Sequence, residues 1–155
     1  MQRHFLSQKD LRTFINQIRD KYHVDIKTDK VEVGKEKKQV YYFIEGKLSF
    51  FSEDLIPTLC WIMDNKVELP SVVVDEGATR ALSRGADLFV PGISLFNCDC
   101  NPGDIILAKT TSGIPVSVMK VLITKEEASA NKKGKFSQNL HWIGDEIWKM
   151  CKNPK

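Results

Sequence analysis

The sequence predicts an α+β fold in two parts, an N-terminal α+β domain over residues 1–69 and a β-rich domain over residues 70–155. Apolar residues recur at helical spacing in the first part. The second part carries short β-branched strands, with turn signals at intervals of roughly ten residues that favour a small β-barrel or sandwich. The composition changes near Leu69 and Pro70, which places the boundary there.

The first predicted element is an amphipathic helix over residues 8–22. Ser7 has the side chain of an N-cap, and Asp10 stands three residues later at the acidic position of a capping box. Apolar residues then recur every three or four positions, which indicates a stripe that packs in the core rather than a groove for a partner. That stripe consists of Leu11, Phe14, Ile15, Ile18 and Tyr22.

The rest of the N-terminal part predicts strands followed by a second helix. The charged segment 34–38 is expected to be a solvated loop, and residues 45–47 the turn of a hairpin. The second helix is predicted over residues 54–65, with Pro57 tolerated in its first turn. The strands, recognised by β-branched or aromatic residues, are 24–27, 31–33, 40–44 and 48–51.

The C-terminal part begins with a strand at 72–74 and a short helix over 75–85. Asp75 is expected to cap this helix, and Gly85 to end it in a left-handed conformation. A polar stretch follows at 125–135, and residues 144–150 predict one or two helical turns. The further strands are expected at 88–90, 105–109, 115–124 and 136–143.

Charge and hydropathy narrow the possible environments. The net charge is +3, which permits nucleic-acid binding without requiring it, so any RNA contact must come from local geometry. The longest stretch without a charged residue is 88–98, which is 11 residues, whereas a membrane-spanning helix needs about 18. The N-terminus lacks the apolar core of a secretory signal. We therefore expect a soluble, cytoplasmic protein.

The four cysteines do not predict a metal site. The close pair Cys98 and Cys100 has no second pair to complete a zinc site, because Cys60 and Cys151 stand far apart and the histidines are scattered. Reduced thiols are the expectation for a cytosolic protein. The sequence predicts no metal and no cofactor.

No catalytic pattern is present in the sequence. It contains no G-x-S-x-G, no G-x-G-x-x-G and no P-loop. The pairs of adjacent carboxylates at 75–76, 126–127 and 145–146 stand where helices could start. Capping explains them better than acid–base chemistry does, so we expect a protein that is not an enzyme.

One segment has the residue types of a phosphate contact. Gly77 is predicted in the first turn of a helix, where backbone N–H groups lack partners and a missing side chain allows close approach. Arg80 and Arg84 are four residues apart and are expected on one helix face, and guanidinium groups suit phosphate oxygens. The alternative is that Gly77 packs against a strand and the arginines are ordinary surface charges.

The order of several segments resembles a PUA domain, which is named for pseudouridine synthases and archaeosine transglycosylases. These segments are 74–78, 85–93, 103–104 and 116–121. Further similar segments at 40–43, 56–59, 68–70 and 138–150 extend the resemblance to about residues 5–150. This layout is similar to the MCT (malignant T-cell amplified sequence)-type proteins and their stand-alone archaeal relatives.

The resemblance implies a fold and a function. The fold is an N-terminal α+β (pre-PUA) domain packed on a C-terminal PUA pseudobarrel, and the function is RNA binding without catalysis. Eukaryotic relatives act with a partner protein at the small ribosomal subunit, in re-initiation and recycling, with the PUA side near the tRNA acceptor end. The expected partners are therefore tRNA or rRNA and a translation factor bound by the N-terminal domain.

Transferred to this chain, the resemblance implies RNA contacts along 75–84, the strand 86–90 and a later strand. Several family members carry a basic residue where this chain has Glu76, and an acid beside a phosphate site weakens the local attraction. The residues expected to bind RNA are Asp75, Gly77, Ala78, Arg80, Arg84, Ala86 and Lys120.

Two alternatives to an RNA-binding protein acting in translation remain open. One is a protein-interaction adaptor that uses exposed aromatic residues of the N-terminal domain, although such residues more often belong to a core. The other is an accessory RNA-binding subunit of an RNA-modification enzyme. The aromatic candidates for the adaptor are Tyr41, Phe50, Phe51 and Trp61.

Overall fold

A computed structural model describes residues 1–153, which form two compact units. The N-terminal unit contains Met1–Val67 together with residues 150–153, and the C-terminal unit is Glu68–Lys149. The domain boundary between residues 69 and 70 stays a prediction. The two compact units divide the chain between Val67 and Glu68 instead, and residues 150–153 belong to the N-terminal unit.

The N-terminal unit is a five-stranded antiparallel sheet in the order β1-β2-β3-β4-β5, with two helices. Its first helix is confirmed in position and in cap, because the Ser7 hydroxyl accepts from the Asp10 N–H. The elements are β1 Arg3–Phe5, α1 Gln8–Tyr22, β2 Val31–Glu36, β3 Gln39–Ile44, β4 Lys47–Phe51, β5 Ile56–Pro57 and α2 Leu59–Asp64.

The structure corrects three expectations in this unit. Residues 24–27 form no strand, and β1, which the sequence did not predict, pairs with β2 instead. Residues 34–36 belong to β2, so the solvated turn is reduced to Lys37 and Lys38, both with positive φ. The second helix begins at Leu59 rather than at 54, because Pro57 pairs with Phe50 in the sheet and Thr58 caps the helix.

The C-terminal unit is built on one six-stranded sheet in the order β7-β11-β10-β9-β6-β8, with β6 and β9 parallel. Aliphatic side chains, Met119 and Phe136 fill its core. The elements are β6 Ser71–Val74, α3 Glu76–Leu82, β7 Leu88–Phe89, a 3₁₀ turn Val90–Gly92, β8 Ile93–Asn97, β9 Ile105–Lys109, β10 Pro115–Val121, α4 Lys125–Asn131 and β11 Lys135–Trp142, and the last helix is α5 Glu146–Lys152.

In this unit the predicted helix caps are confirmed, and two elements that the sequence did not predict, α4 and β8, are present. The capping interpretation of the carboxylate pairs is confirmed: Asp75 accepts from the Ala78 N–H at 2.8 Å, and Asp145 from the Trp148 N–H at 2.7 Å. The third pair belongs to a capping box of Thr124 and Glu127 that starts α4, a helix placed where the sequence predicted only a polar stretch. Strand β8 was also missed, although it pairs with β6.

The expectation of reduced thiols is wrong for this structure. Cys60 on α2 and Cys151 on α5 are both buried and form a disulfide across 91 positions of sequence, with their Cα atoms 6.0 Å apart. Cys98 is paired with Cys100. Within residues 1–153, no helix has the length and apolar character needed to cross a membrane.

Candidate nucleic-acid interface

The start of α3 presents bare backbone. The Asp75 side chain caps the helix through the Ala78 N–H, and its own N–H donates to the Gly92 carbonyl at 3.0 Å. A Cβ added to Gly77 would meet only the Asp75 Oδ1, at 3.5 Å, which is ordinary contact. The alternative that Gly77 packs against a strand is therefore wrong, and the backbone at this position is open.

The charges around this opening are balanced. Glu76 Oε1 and the Arg80 guanidinium form an ion pair at 3.0 Å, with side chains 86% and 63% exposed. Exposed pairs of this kind contribute about 0–1 kcal/mol, so Arg80 can exchange its partner for a phosphate at little cost. Glu76 thus pairs with Arg80, but the Arg80 side chain stays exposed.

Arg84 does not share a helix face with Arg80. Helix α3 ends at Leu82, and Arg84 lies exposed in the following turn. Among the described residues its guanidinium has no ion-pair partner, so it is available to an anion. Gly85 makes the turn possible, because its φ is +90° and a Cβ there would lie 2.8 Å from the Trp142 ring.

The chain after this turn is fixed to β11 by Asn139. The Asn139 side-chain amide donates to the carbonyls of Leu82 and Ala86, at 3.1 and 3.0 Å, and its backbone N–H donates to Asp87. That backbone hydrogen bond, followed by the contact with Lys135, lowers the pKa of Asp87 below its ordinary value. Ala86 thus contributes a carbonyl that holds the loop, and its own side chain is exposed.

Lys120 lies on β10 and not on α3. It is exposed on β10 opposite Gln138 of β11, whereas its neighbours Met119 and Val121 point into the core. No contact described within residues 1–153 joins it to α3. The structure therefore places Gly77, Ala78 and Arg80 on α3 with Asp75 as its N-cap, and Lys120 on the exposed face of β10.

The structure adds a basic and aromatic edge that sequence reasoning passed over. Phe89 is 50% exposed and pairs across the ladder with Lys135, whose Nζ lies 6.0 Å from the ring centroid. Lys132 and Lys133 are exposed in the turn that precedes β11. We call Phe89, Lys132, Lys133 and Lys135 the Phe89 edge. The run of three lysines around Gly134, together with an aromatic residue on a predicted strand, was the signal for it.

Hydrogen bonds connect the Phe89 edge to the start of α3. The Val90–Gly92 turn lies between them: its Gly92 carbonyl accepts from the Asp75 N–H, and its Val90 N–H donates to the Gly134 carbonyl, both at 3.0 Å. Two residue steps span at most about 7 Å. The backbone at the start of α3 and the turn that carries the lysines of the edge are therefore tied to the same short Val90–Gly92 segment of the C-terminal unit.

The N-terminal unit contains a separate open cavity of about 450 Å³ between residues 24–28, the β3–β4 hairpin and α2. Its lining carries both Lys27 and Lys47 and both Asp25 and Asp64. This mixture of charges indicates no single ligand chemistry. The described residues contain no cluster of three His, Cys, Asp or Glu side chains that could hold a metal ion.

Comparison with known proteins matches this architecture. Residues 70–143 match the PUA domain, and residues 2–65 match a domain of unknown function, DUF1947. A solved structure of a conserved PUA domain protein from Thermoplasma acidophilum is 32% identical, with a TM-score of 0.80 over 97% of this chain and 99% of that chain. The chain is a PUA-domain protein. The predicted fold, an α+β N-terminal domain followed by a PUA domain, is confirmed.

Relatives of this PUA-domain protein occur in archaea and eukaryotes. An uncharacterized protein of Methanocaldococcus jannaschii is 29% identical over 94% of both chains. Translation machinery-associated protein 20 of Saccharomyces cerevisiae is 25% identical over 79% of this chain and 73% of its own. Human malignant T-cell-amplified sequence 2 is 30% identical over 69% of this chain and 63% of its own. The predicted resemblance to the MCT-type proteins is confirmed, and the PUA domain implies RNA binding.

Proposed function

We propose that this chain is a non-catalytic RNA-binding protein of the cytoplasm that contacts tRNA, rRNA or the small ribosomal subunit during translation. The observation that carries the proposal is the surface of the PUA domain that runs from Gly77 to the Phe89 edge, where open backbone adjoins exposed basic side chains. Similarity to a translation machinery-associated protein supports translation as the process.

The mechanism is phosphate contact with release of counterions. Arg84, Lys132 and Lys133 have no acidic partner among the described residues, and Arg80 has only an exposed one. An RNA backbone that follows this surface gains these contacts without breaking a buried interaction. Phosphate contacts position an RNA but carry no base information, so the class of RNA depends on shape and on contacts to bases.

A salt titration with tRNA tests the proposal. We expect gel-shift or anisotropy binding that weakens with salt, with a slope that falls by about 0.7–0.9 for each phosphate that a variant no longer neutralises. Arg80→Gln with Arg84→Gln should reduce that slope. Arg12→Gln is the matched control, because Arg12 is an exposed arginine on α1 of the N-terminal unit. Absence of binding to tRNA and to ribosomal subunits at low salt would contradict the proposal.

The approach to backbone at Gly77 has its own test. Gly77→Glu places a carboxylate in the opening, and the site has room for a side chain, so the fold should be unaffected. We expect weaker tRNA binding with unchanged thermal unfolding. Equal affinity of Gly77→Glu and wild type would remove α3 from the interface.

The proposal includes a translation-factor partner for the N-terminal domain, but three aromatic residues predicted for an adaptor surface do not serve it. Phe50, Phe51 and Trp61 are 0%, 5% and 5% exposed and belong to the core. A partner must therefore contact other residues. A pull-down repeated after RNase treatment separates a direct protein partner from one that is bridged by RNA.

A further inference from the structure

We infer that Phe89 is a stacking platform for an unpaired nucleobase, so that the chain prefers RNA with a single-stranded segment over fully paired RNA. This inference rests on the proposed function and specifies the class of RNA that the same surface takes. It assigns to one side chain a role that phosphate contacts cannot perform.

The position of Phe89 is fixed by the sheet. Strand alternation sends Leu88 into the core, where it is 2% exposed, and turns Phe89 outward. The ladder pairs Phe89 with Lys135, and the next residue, Val90, donates its N–H to Gly134. A ring held on a strand in this way loses little conformational entropy when a flat ligand settles on it.

The charge beside the ring is also held in place. Lys135 Nζ contacts Asp87 Oδ2 at 2.9 Å, and Asp87 is itself fixed by the Asn139 backbone N–H. Lys132 and Lys133 add positive charge in the adjoining turn. An exposed aromatic ring within a strip of cations is the arrangement that binds unpaired nucleic acid, because bases stack on the ring while phosphates meet the lysines.

A second exposed phenylalanine shows that exposure alone does not make such a site. Phe5 on β1 is 63% exposed, but its ladder partner Glu32 is already paired with the Arg3 guanidinium at 2.9 Å. A phosphate near Phe5 would meet this neutralised pair, whereas a phosphate near Phe89 meets Lys132 and Lys133, which have no acidic partner among the described residues. Phe5 is therefore the matched control for Phe89: the same residue, similarly exposed on a β-strand, without the strip of lysines beside it.

The experiment uses the full chain and two RNA probes, a hairpin with a blunt stem and the same hairpin extended by a short run of unpaired adenosines. Wild type should bind the extended hairpin more tightly. Phe89→Leu keeps an apolar side chain but removes the ring, and it should weaken binding to the extended hairpin about tenfold while sparing the blunt one. The salt slope should not change, because the variant keeps every charge. Phe5→Leu should behave as wild type.

A second variant reports stacking directly. Phe89→Trp retains a flat ring, so affinity should be kept, and tryptophan fluorescence should be quenched by the extended hairpin more than in wild type. Equal binding of both hairpins by wild type, or unchanged affinity of Phe89→Leu for the extended one, would overturn the inference while RNA binding stands. Absence of any salt-dependent RNA binding by wild type would instead refute the proposed function itself.

Discussion

Aromatic rings in the N-terminal unit pack against one another. Phe50 is fully buried, and its ring centroid lies 5.7 Å from that of Phe14, 6.0 Å from Tyr22 and 4.5 Å from Trp61. In the C-terminal unit the core is mainly aliphatic, and Phe89 faces solvent beside lysines. Phenylalanine thus supplies an aromatic cluster in the core of the N-terminal unit, whereas in the C-terminal unit Phe136 is buried among mainly aliphatic side chains and Phe89 is exposed.

The elements that cover each sheet explain why the rings are buried in one unit and Phe89 is exposed in the other. On the N-terminal sheet, helix α1 covers the face that carries Tyr42 and Phe50, and Phe14 stacks on Tyr42. At the edge of the C-terminal sheet, strand β7 is only two residues long. It is followed by the 3₁₀ turn Val90–Gly92 and not by a helix that would cover Phe89. The comparison indicates that the stabilising role of an aromatic ring can be tested in the N-terminal unit and its role in RNA binding in the C-terminal unit.

The largest effect is expected from Phe50→Ala. Removing a buried aromatic ring costs about 3–5 kcal/mol, because the transfer free energy is lost and a cavity remains. Urea unfolding monitored by circular dichroism measures the change. Phe89→Ala is the control and should leave the free energy of unfolding nearly unchanged. A small loss for Phe50→Ala would mean that the aromatic cluster does not hold this unit.

The second-largest loss of stability is expected when the disulfide of the N-terminal unit is removed. Closing a loop of 91 positions restricts the unfolded chain, and losing such a bridge typically costs 2–4 kcal/mol, so about 3 kcal/mol is expected for the Cys60→Ala, Cys151→Ala variant. Unfolding with and without dithiothreitol gives the same comparison. The control is Cys98→Ala with Cys100→Ala, which opens a loop of only two positions. Detection of four reactive thiols in the native protein without reductant would contradict this expectation.

In the C-terminal unit, we expect Asp145→Asn to cost about 2 kcal/mol at neutral pH, because the carboxylate accepts from the His141 ring and from two backbone N–H groups. Burial raises the pKa of Asp145, but the hydrogen bond and charge of His141 and the N–H groups of Trp148 and Trp142 outweigh it, so the pKa lies below its ordinary value.

The pH dependence of that cost follows from the sign of the shift. A lowered folded-state pKa stabilises the fold above the ordinary carboxyl range, and this stability is lost as the pH falls through the folded value. The cost of Asp145→Asn should therefore shrink in acid. Urea unfolding at neutral and acidic pH measures it, with Asp99→Asn as the exposed control. A cost that grows on acidification would refute the assignment.

How far the sequence could predict this molecule depends on whether the signals were local. Caps and turns were readable: Ser7, Asp75 and Gly85 act as their residue types predict. Pairing between strands that are distant in sequence could not be predicted. The sequence therefore suggested a strand at 24–27 instead of β1, and it placed Pro57 in a helix although Pro57 pairs with Phe50 in the sheet.

The candidate interface shows the same division. The opening at Gly77 followed from its place in a helix start, and the family resemblance pointed to the same segment. The Phe89 edge depends on Lys135 standing opposite Phe89 in the ladder, a pairing between residues far apart in sequence that no local pattern encodes. Arg84 was placed on the helix face by its spacing from Arg80, and the early end of α3 puts it in the following turn instead, whereas Lys120 was expected from the family resemblance and lies exposed on β10.

The smallest effect on stability is expected at the two exposed phenylalanines, Phe89 of the C-terminal unit and Phe5 of the N-terminal unit. They allow the two units to be compared through the same substitution. Phe89→Leu and Phe5→Leu should each change the free energy of unfolding by less than about 0.5 kcal/mol, because neither ring is enclosed. Thermal unfolding of both variants measures this. A much larger loss for Phe89→Leu than for Phe5→Leu would mean that the ring supports the β7–β11 edge, and its exposure would then follow from sheet geometry rather than from contact with RNA.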